Sequence, residues 1–141
     1  MDPTFDLTTT SPLEFVNELD AEEALDLARR ILDLDNSELS VLVVSHLGFP
    51  IAWCVSKSYQ SKLSSSKEYW EISAQRAATI MGAAKGEDPF HSPIESIALG
   101  REESKSLLIW IPRHALILKV LLVRSADAAK VTDKIRKMFG F

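Results

Sequence analysis

The eight residues 45–52, SHLGFPIA, separate two apolar runs and restrict the fold more than any other feature of the chain. Val41–Val44 stands before them and Trp53–Val55 after them. Gly48 can supply the positive φ that a tight reversal needs, and Pro50 is tolerated at the start of a strand, where its missing N–H does little harm. The stretch therefore predicts a hairpin. Because both flanks are almost continuously apolar, both strands are expected to be covered on two sheet faces.

The rest of the chain alternates helical and extended patterns. The predicted elements are helix 20–34, strands 38–45 and 49–56, helix 66–85, strands 94–99, 104–111 and 115–123, and helix 125–139. The order α-β-β-α-β-β-β-α predicts a five-stranded antiparallel sheet with helices on both faces, in which successive strands lie side by side. Residues 1–19 are predicted to be an N-terminal tail in which Ser11 permits a short helix, and residues 20–141 a single domain.

Composition sets the class of protein. The chain has 141 residues, of which 46% are hydrophobic and 26% charged, as expected for one soluble domain. No apolar run is long enough to enter and cross a bilayer, so membrane insertion is not expected. The formal charge of −4 argues against a nucleic-acid partner. A single cysteine cannot form an internal disulfide, and a cytoplasmic location is predicted.

The helix predicted over 66–85 carries two adjacent apolar stripes. The first comprises Trp70, Ala74, Ala77, Met81 and Ala84, and the second Tyr69, Ile72, Ile80 and Ala83. One sheet covers only one stripe, so a second copy of the chain is expected to cover the other. We assign the first stripe to the partner and the second to the protein's own sheet, although the two roles can be exchanged. The predicted homodimer interface is Trp70, Ala74, Ala77, Met81 and Ala84, with Ile94 and Ser96 on an edge strand beside it.

Catalytic patterns are absent from the sequence. Cys54 lies within an apolar strand, where a thiol is usually an inert hydrophobe, and His46, His91 and His114 are not spaced from it as metal ligands. The chain contains neither a P-loop nor a Gly-x-Ser-x-Gly elbow. We therefore predict a protein that is not an enzyme and that carries no cofactor or metal.

The element order and the hairpin together resemble the roadblock / dynein light-chain family, within the profilin-like and longin-like fold group. The residues that match the family's hairpin motif are Ser45, Gly48, Phe49, Pro50, Ile51 and Ala52, while Leu47 stands where many members carry aspartate. The resemblance implies a roadblock-like fold that dimerises through the second helix and the neighbouring edge strand. It also implies a non-catalytic module that binds, regulates or scaffolds a Ras-like small GTPase.

Two alternatives remain open. A profilin-like domain that senses a small molecule would need polar side chains on the strands, and the strands offer Ser40, Ser96, Ser106 and Lys119 and little else. That shortage favours the interaction module. A longin-type trafficking adaptor is close to the same hypothesis, and the sequence does not separate the two.

Overall fold

The computed structural model describes residues 18–60, 66–85 and 96–140. The helices and strands within them are α1 (Ala21–Leu32), β1 (Glu38–Ser45), β2 (Pro50–Val55), α2 (Lys67–Lys85), β3 (Ser96–Gly100), β4 (Ser104–Ile111), β5 (Leu116–Val123) and α3 (Ala128–Met138). The predicted order and the five-stranded antiparallel sheet are confirmed. The tail predicted at the N-terminus lies, up to residue 17, outside the described residues.

The strands lie in the order β2-β1-β5-β4-β3. Successive strands are neighbours within the β1–β2 hairpin and the β3–β4–β5 meander, as predicted. The prediction was wrong between β2 and β3, which lie at opposite edges of the sheet because the connection through α2 carries the chain across it. β1 pairs instead with β5, with Val41 opposite Val120. The two strands richest in aliphatic residues thereby occupy the centre of the sheet.

Each face of the sheet has its own apolar core. Val41 and Val43 of β1 pack with α1 and α3 on one face, whereas Leu42 and Val44 pack with α2 on the other. Alternate side chains of a strand point to opposite faces, so a strand buried on both faces reads as an unbroken apolar run. This arrangement explains the sequence that flanks the hairpin.

Both helices on the first face begin at an aspartate. The carboxylate of Asp20 accepts a hydrogen bond from the backbone N–H of Glu23 at 2.8 Å, and the Glu23 side chain accepts one from the backbone of Asp20. Helix α3 starts at Ala128, capped by Asp127, and not at Ser125 as predicted. A carboxylate at an N-terminus both accepts an unpaired N–H and faces the positive end of the helix dipole, which accounts for the later start.

The hairpin between β1 and β2 depends on Ser45 and Gly48. The Ser45 hydroxyl oxygen accepts hydrogen bonds from the backbone N–H groups of Leu47 and Phe49, at 3.3 and 3.1 Å. Gly48 has a φ of +92°, as the sequence predicts. A Cβ atom on Gly48 would lie 3.4 Å from the Cβ of Ala78, so the turn also packs closely against α2.

Replacing Gly48 with alanine is expected to lower the free energy of unfolding by about 1–3 kcal/mol, because an L-residue is strained at this φ. Chemical denaturation of the purified variant measures the change. Gly82→Ala is the matched control, since a Cβ there meets no atom within 4 Å and lies inside a helix. That change should leave stability unaltered or raise it by about 0.5–1 kcal/mol. Equal effects at both glycines would contradict the role assigned to the turn.

Candidate functional site

The first stripe of α2 packs against the protein's own sheet. Trp70, Ala74, Ala77 and Met81 are at most 2% exposed and contact residues of the sheet, including Leu42 and Leu108. The assignment of this stripe to a partner was therefore wrong, because its residues are buried against the protein's own sheet. Alanine side chains let the helix backbone approach the strands closely, and Trp70 stacks on Trp53 with ring centroids 5.4 Å apart. Ala84, the last member of the stripe, is half-buried.

The second stripe is the one left partly uncovered. Ile72 is 43% exposed and Ile80 36%, and both border a cavity of about 340 Å³ that Leu99 and Leu108 also line. This side of α2 faces β3, which is an edge strand as predicted and pairs only with β4 among the described residues. Exposed apolar side chains therefore lie beside an unpaired strand edge.

Of the two remaining predicted interface residues, the structure describes Ser96, which lies on β3. Ser96 is half-buried and pairs with Ile109 of β4. It borders a cavity with Ala128 of α3, on the sheet face opposite α2, whereas Ile97 and Leu99 pack on the α2 side. The Ser96 side chain is thus on the wrong face to extend the α2 surface. Ile94 lies outside the described residues.

A second exposed apolar pair occupies the hairpin. Leu47 is 70% and Phe49 62% exposed, on either side of Gly48. Gly48 lies against Gln75 and Ala78, which project from the flank of α2 opposite Ile80, given about 100° of rotation per residue. The helix is therefore bordered by apolar surface on both flanks.

A cavity of about 440 Å³ lies between the N-terminal half of α2 and the sheet. Its walls include Lys119 of β5, Ser73 and Arg76 of α2, and Arg101 at the end of β3. The Lys119 ammonium group donates a hydrogen bond to the Ser73 hydroxyl oxygen at 2.6 Å. Burial, together with the positive charges of Arg101 and Arg76, lowers the pKa of Lys119 to about 8. A half-buried cation with neighbours of like charge, in the wall of a cavity, is a candidate for a functional role.

Three of the four polar strand residues considered in the sequence line this cavity: Ser40, Ser106 and Lys119. Ser73, Arg76 and Arg101, which also line the cavity, were not predicted as site residues. Ser73 and Arg76 have a sequence signal, because they interrupt the otherwise apolar side of α2 one helical turn apart. Arg101 follows a strand at a turn and carries no such signal.

The residues considered for catalysis are not brought together. Cys54 is half-buried, and burial raises the pKa of its thiol to about 11, so it is neutral at physiological pH. His46 and His114 lie in different turns, and His91 is outside the described residues. In the described part of the chain, no group of three or more histidine, cysteine, aspartate or glutamate side chains is placed to hold a metal ion. Among those residues, no helix combines the length and apolarity needed to cross a membrane.

Glu38 is a second buried titratable group, at the start of β1. It is 3% exposed, and neither carboxyl oxygen has a hydrogen-bond partner among the described residues. Burial, together with the negative charge of Asp35, raises the pKa of Glu38 to about 8. Hydrogen bonds from Ser37 hold the pKa of Asp35 well below its usual range. Glu38 is therefore largely protonated at pH 7, and a neutral acid attracts a charged ligand only weakly.

Comparison with solved structures decides the fold. A Roadblock/LC7 domain from Streptomyces avermitilis matches with a TM-score of 0.65, over 86% of this chain and 92% of that chain, at 13% sequence identity. The chain has the roadblock fold. Myxococcus xanthus MglB matches with a TM-score of 0.61 at 16% identity over 86% of each chain. The gliding protein MglB from Thermus thermophilus matches at 0.60 and 17% identity, over 87% of this chain and 88% of that chain.

The sequence itself matches no protein-family model and no curated protein. The three structural neighbours share only 13–17% of their residues with this chain, yet they have the same fold. The sequence resemblance is confined to the short hairpin motif. At such low sequence identity, the fold is the property that this chain shares with these neighbours. The exposed apolar surfaces and the cavity are described from this chain's residues and not from those of its neighbours.

Lys119→Met is expected to stabilise this roadblock fold by about 1–3 kcal/mol at pH 7, because a charged lysine is held in a site that lowers its pKa. Below pH 8 the cost of the buried charge is fully present. Between pH 8 and 10.5 the folded protein has released the proton while the unfolded chain still binds it, so wild-type stability rises and the advantage of the variant shrinks.

Denaturation of both proteins at several pH values measures this difference. Lys130→Met, at an exposed position of α3, removes the same charge and should change stability little at any pH. If Lys119→Met were less stable than the wild type at pH 7, by an amount independent of pH, the Lys119 cation would stabilise the fold and would not lower its free energy of unfolding.

Proposed function

We propose that this chain is a non-catalytic, homodimeric interaction module that binds a Ras-like small GTPase and regulates or scaffolds it. The observation that carries the proposal is the exposure of Ile72 and Ile80 beside the outer edge of β3, which pairs with no other strand among the described residues. Adjacent apolar side chains on a helix next to a free strand edge are features of an interaction surface. The resemblance of the hairpin motif to the roadblock family supplies the partner class.

The spacing of Ile72 and Ile80 allows the second stripe of α2 to pack against a second copy of itself. Ile72 and Ile80 lie about two helical turns apart, with Arg76 midway between them. If two copies of α2 pack antiparallel about a two-fold axis near Arg76, Ile72 of one copy meets Ile80 of the partner subunit, and the reverse contact forms by symmetry. The β3 strands then lie side by side and continue the sheet. Self-association also occurs among the structural neighbours, one of which is an MglB with a tetrameric arrangement.

Ile80→Glu is expected to convert a dimer into a folded monomer, because the charge would be buried against an apolar partner surface while the protomer core is untouched. Light scattering coupled to gel filtration, across a range of concentrations, measures the mass. Leu47→Glu is the matched control, an equally drastic change on the other flank of α2 that should leave the dimer intact. Ala77→Glu should unfold the protomer, since Ala77 is 1% exposed against its own sheet. A wild-type protein that is monomeric throughout would disprove the dimer.

The GTPase is tested directly. Ras-like GTPases encoded in the same genome, loaded with GDP or a non-hydrolysable GTP analogue, are titrated into the wild type in a calorimeter. We expect saturable binding that depends on the bound nucleotide, and weaker binding by Ile80→Glu, because the platform is built from two copies. The purified chain alone should not hydrolyse GTP. Absence of binding to every such GTPase, with the dimer intact, would reject the partner and leave the assembly standing.

The cavity beneath α2, with polar and cationic side chains in its walls, favours small-molecule binding as a second function of the same protein. In that respect the chain also matches the profilin-like sensor alternative. The longin-type adaptor differs from the main proposal only in the process that its partner serves.

A further inference from the structure

We propose that the cavity between the N-terminal half of α2 and the sheet binds a small molecule through a phosphate-class oxyanion. This inference goes beyond the proposed GTPase-binding role and does not require a dimer. It follows from the charges, the hydrogen-bond donors and the size of the cavity.

Three cationic side chains converge on the cavity from three different elements. Lys119 comes from the centre of the sheet, Arg76 from α2 and Arg101 from the end of β3. None of the described residues that line the cavity is aspartate or glutamate. Like charges placed together repel one another, and a multiply charged oxyanion between them would replace that repulsion with attraction. Arginine and lysine side chains are the usual phosphate ligands in proteins.

Uncharged donors at the cavity walls are also without acceptors. The indole N–H of Trp70 and the hydroxyl of Ser106 are buried and have no hydrogen-bond partner among the described residues. Both atoms belong to residues that line the cavity but lie beneath its surface, so a ligand would reach them only after the side chains shift. Ser73 already accepts a hydrogen bond from Lys119, which leaves its own hydroxyl proton available. The Ser73 hydroxyl and the three cationic side chains therefore favour an acceptor-rich ligand.

The volume and the remaining wall residues indicate a ligand larger than an inorganic ion. About 440 Å³ lies within the range of small-molecule pockets in proteins. Tyr59, Tyr69 and Leu121 line the same cavity and offer aromatic and apolar surface. A phosphorylated metabolite with a compact organic part fits this combination of walls.

Inorganic phosphate and pyrophosphate are the probes, with sodium chloride at matched ionic strength as the reference. We expect both oxyanions to raise the melting temperature above the chloride reference, and pyrophosphate to give a saturable heat of binding. Arg101→Gln and Lys119→Met should each weaken binding at least about tenfold, because each removes a charged donor. Since Lys119→Met is expected to be more stable than the wild type, its loss of binding is not a loss of fold.

Arg113→Gln is the control, an exposed arginine in the turn after β4 with the same charge change, and it should bind pyrophosphate like the wild type. The proposal is overturned if neither oxyanion stabilises the protein beyond chloride. It is equally overturned if Arg113→Gln weakens binding as much as Arg101→Gln, since that result would indicate general charge attraction, or if both cavity variants bind normally.

Discussion

The pairing of β1 with β5 is the interaction on which the rest of the molecule depends. These strands form the centre of the sheet, and helices cover both of their faces, so almost every side chain along β1 is withdrawn from water. The α2 face of the pair is apolar at one end, where Val44 and Ile117 lie opposite each other and pack under the helix. At the other end it carries Ser40 and Lys119. The helix therefore seats tightly over one half of the pair and leaves a polar cavity over the other.

Local chemistry made part of this fold predictable. A glycine with positive φ and a proline two residues later specify a reversal wherever they stand, so the hairpin followed directly from Gly48 and Pro50. The bounds of β4 were also predicted correctly, because turn residues delimit an apolar run on both sides. The later start of α3 differed by a few residues, since Ser125 and Asp127 both make good caps and only the packing of the helix selects one.

Relations between distant segments were not predictable in the same way. Both stripes of α2 are apolar, and periodicity alone does not say which one faces the sheet; the small side chains of Ala74 and Ala77 decide it by allowing the closer approach. The strand order depends on where the connection through α2 crosses, which has no local signature. The cavity combines residues from elements far apart in the chain. The polar residues Ser73 and Arg76 on α2 and Ser40, Ser106 and Lys119 on the strands stood out in the sequence, but nothing there showed that they meet.

The two edges of the sheet are unlike, and this difference governs what kind of assembly is open to the chain. β2 begins with a proline, its pairing with β1 is broken by a bulge near Val43, and α1 packs across it. These are devices by which proteins prevent further strands from adding to an edge. With the β2 edge blunted and the β3 edge unpaired within the described part of the chain, pairing between two sheets would join β3 to β3 and then stop. The asymmetry thus favours closed, finite pairs over the open filaments that a sheet with two free edges would permit.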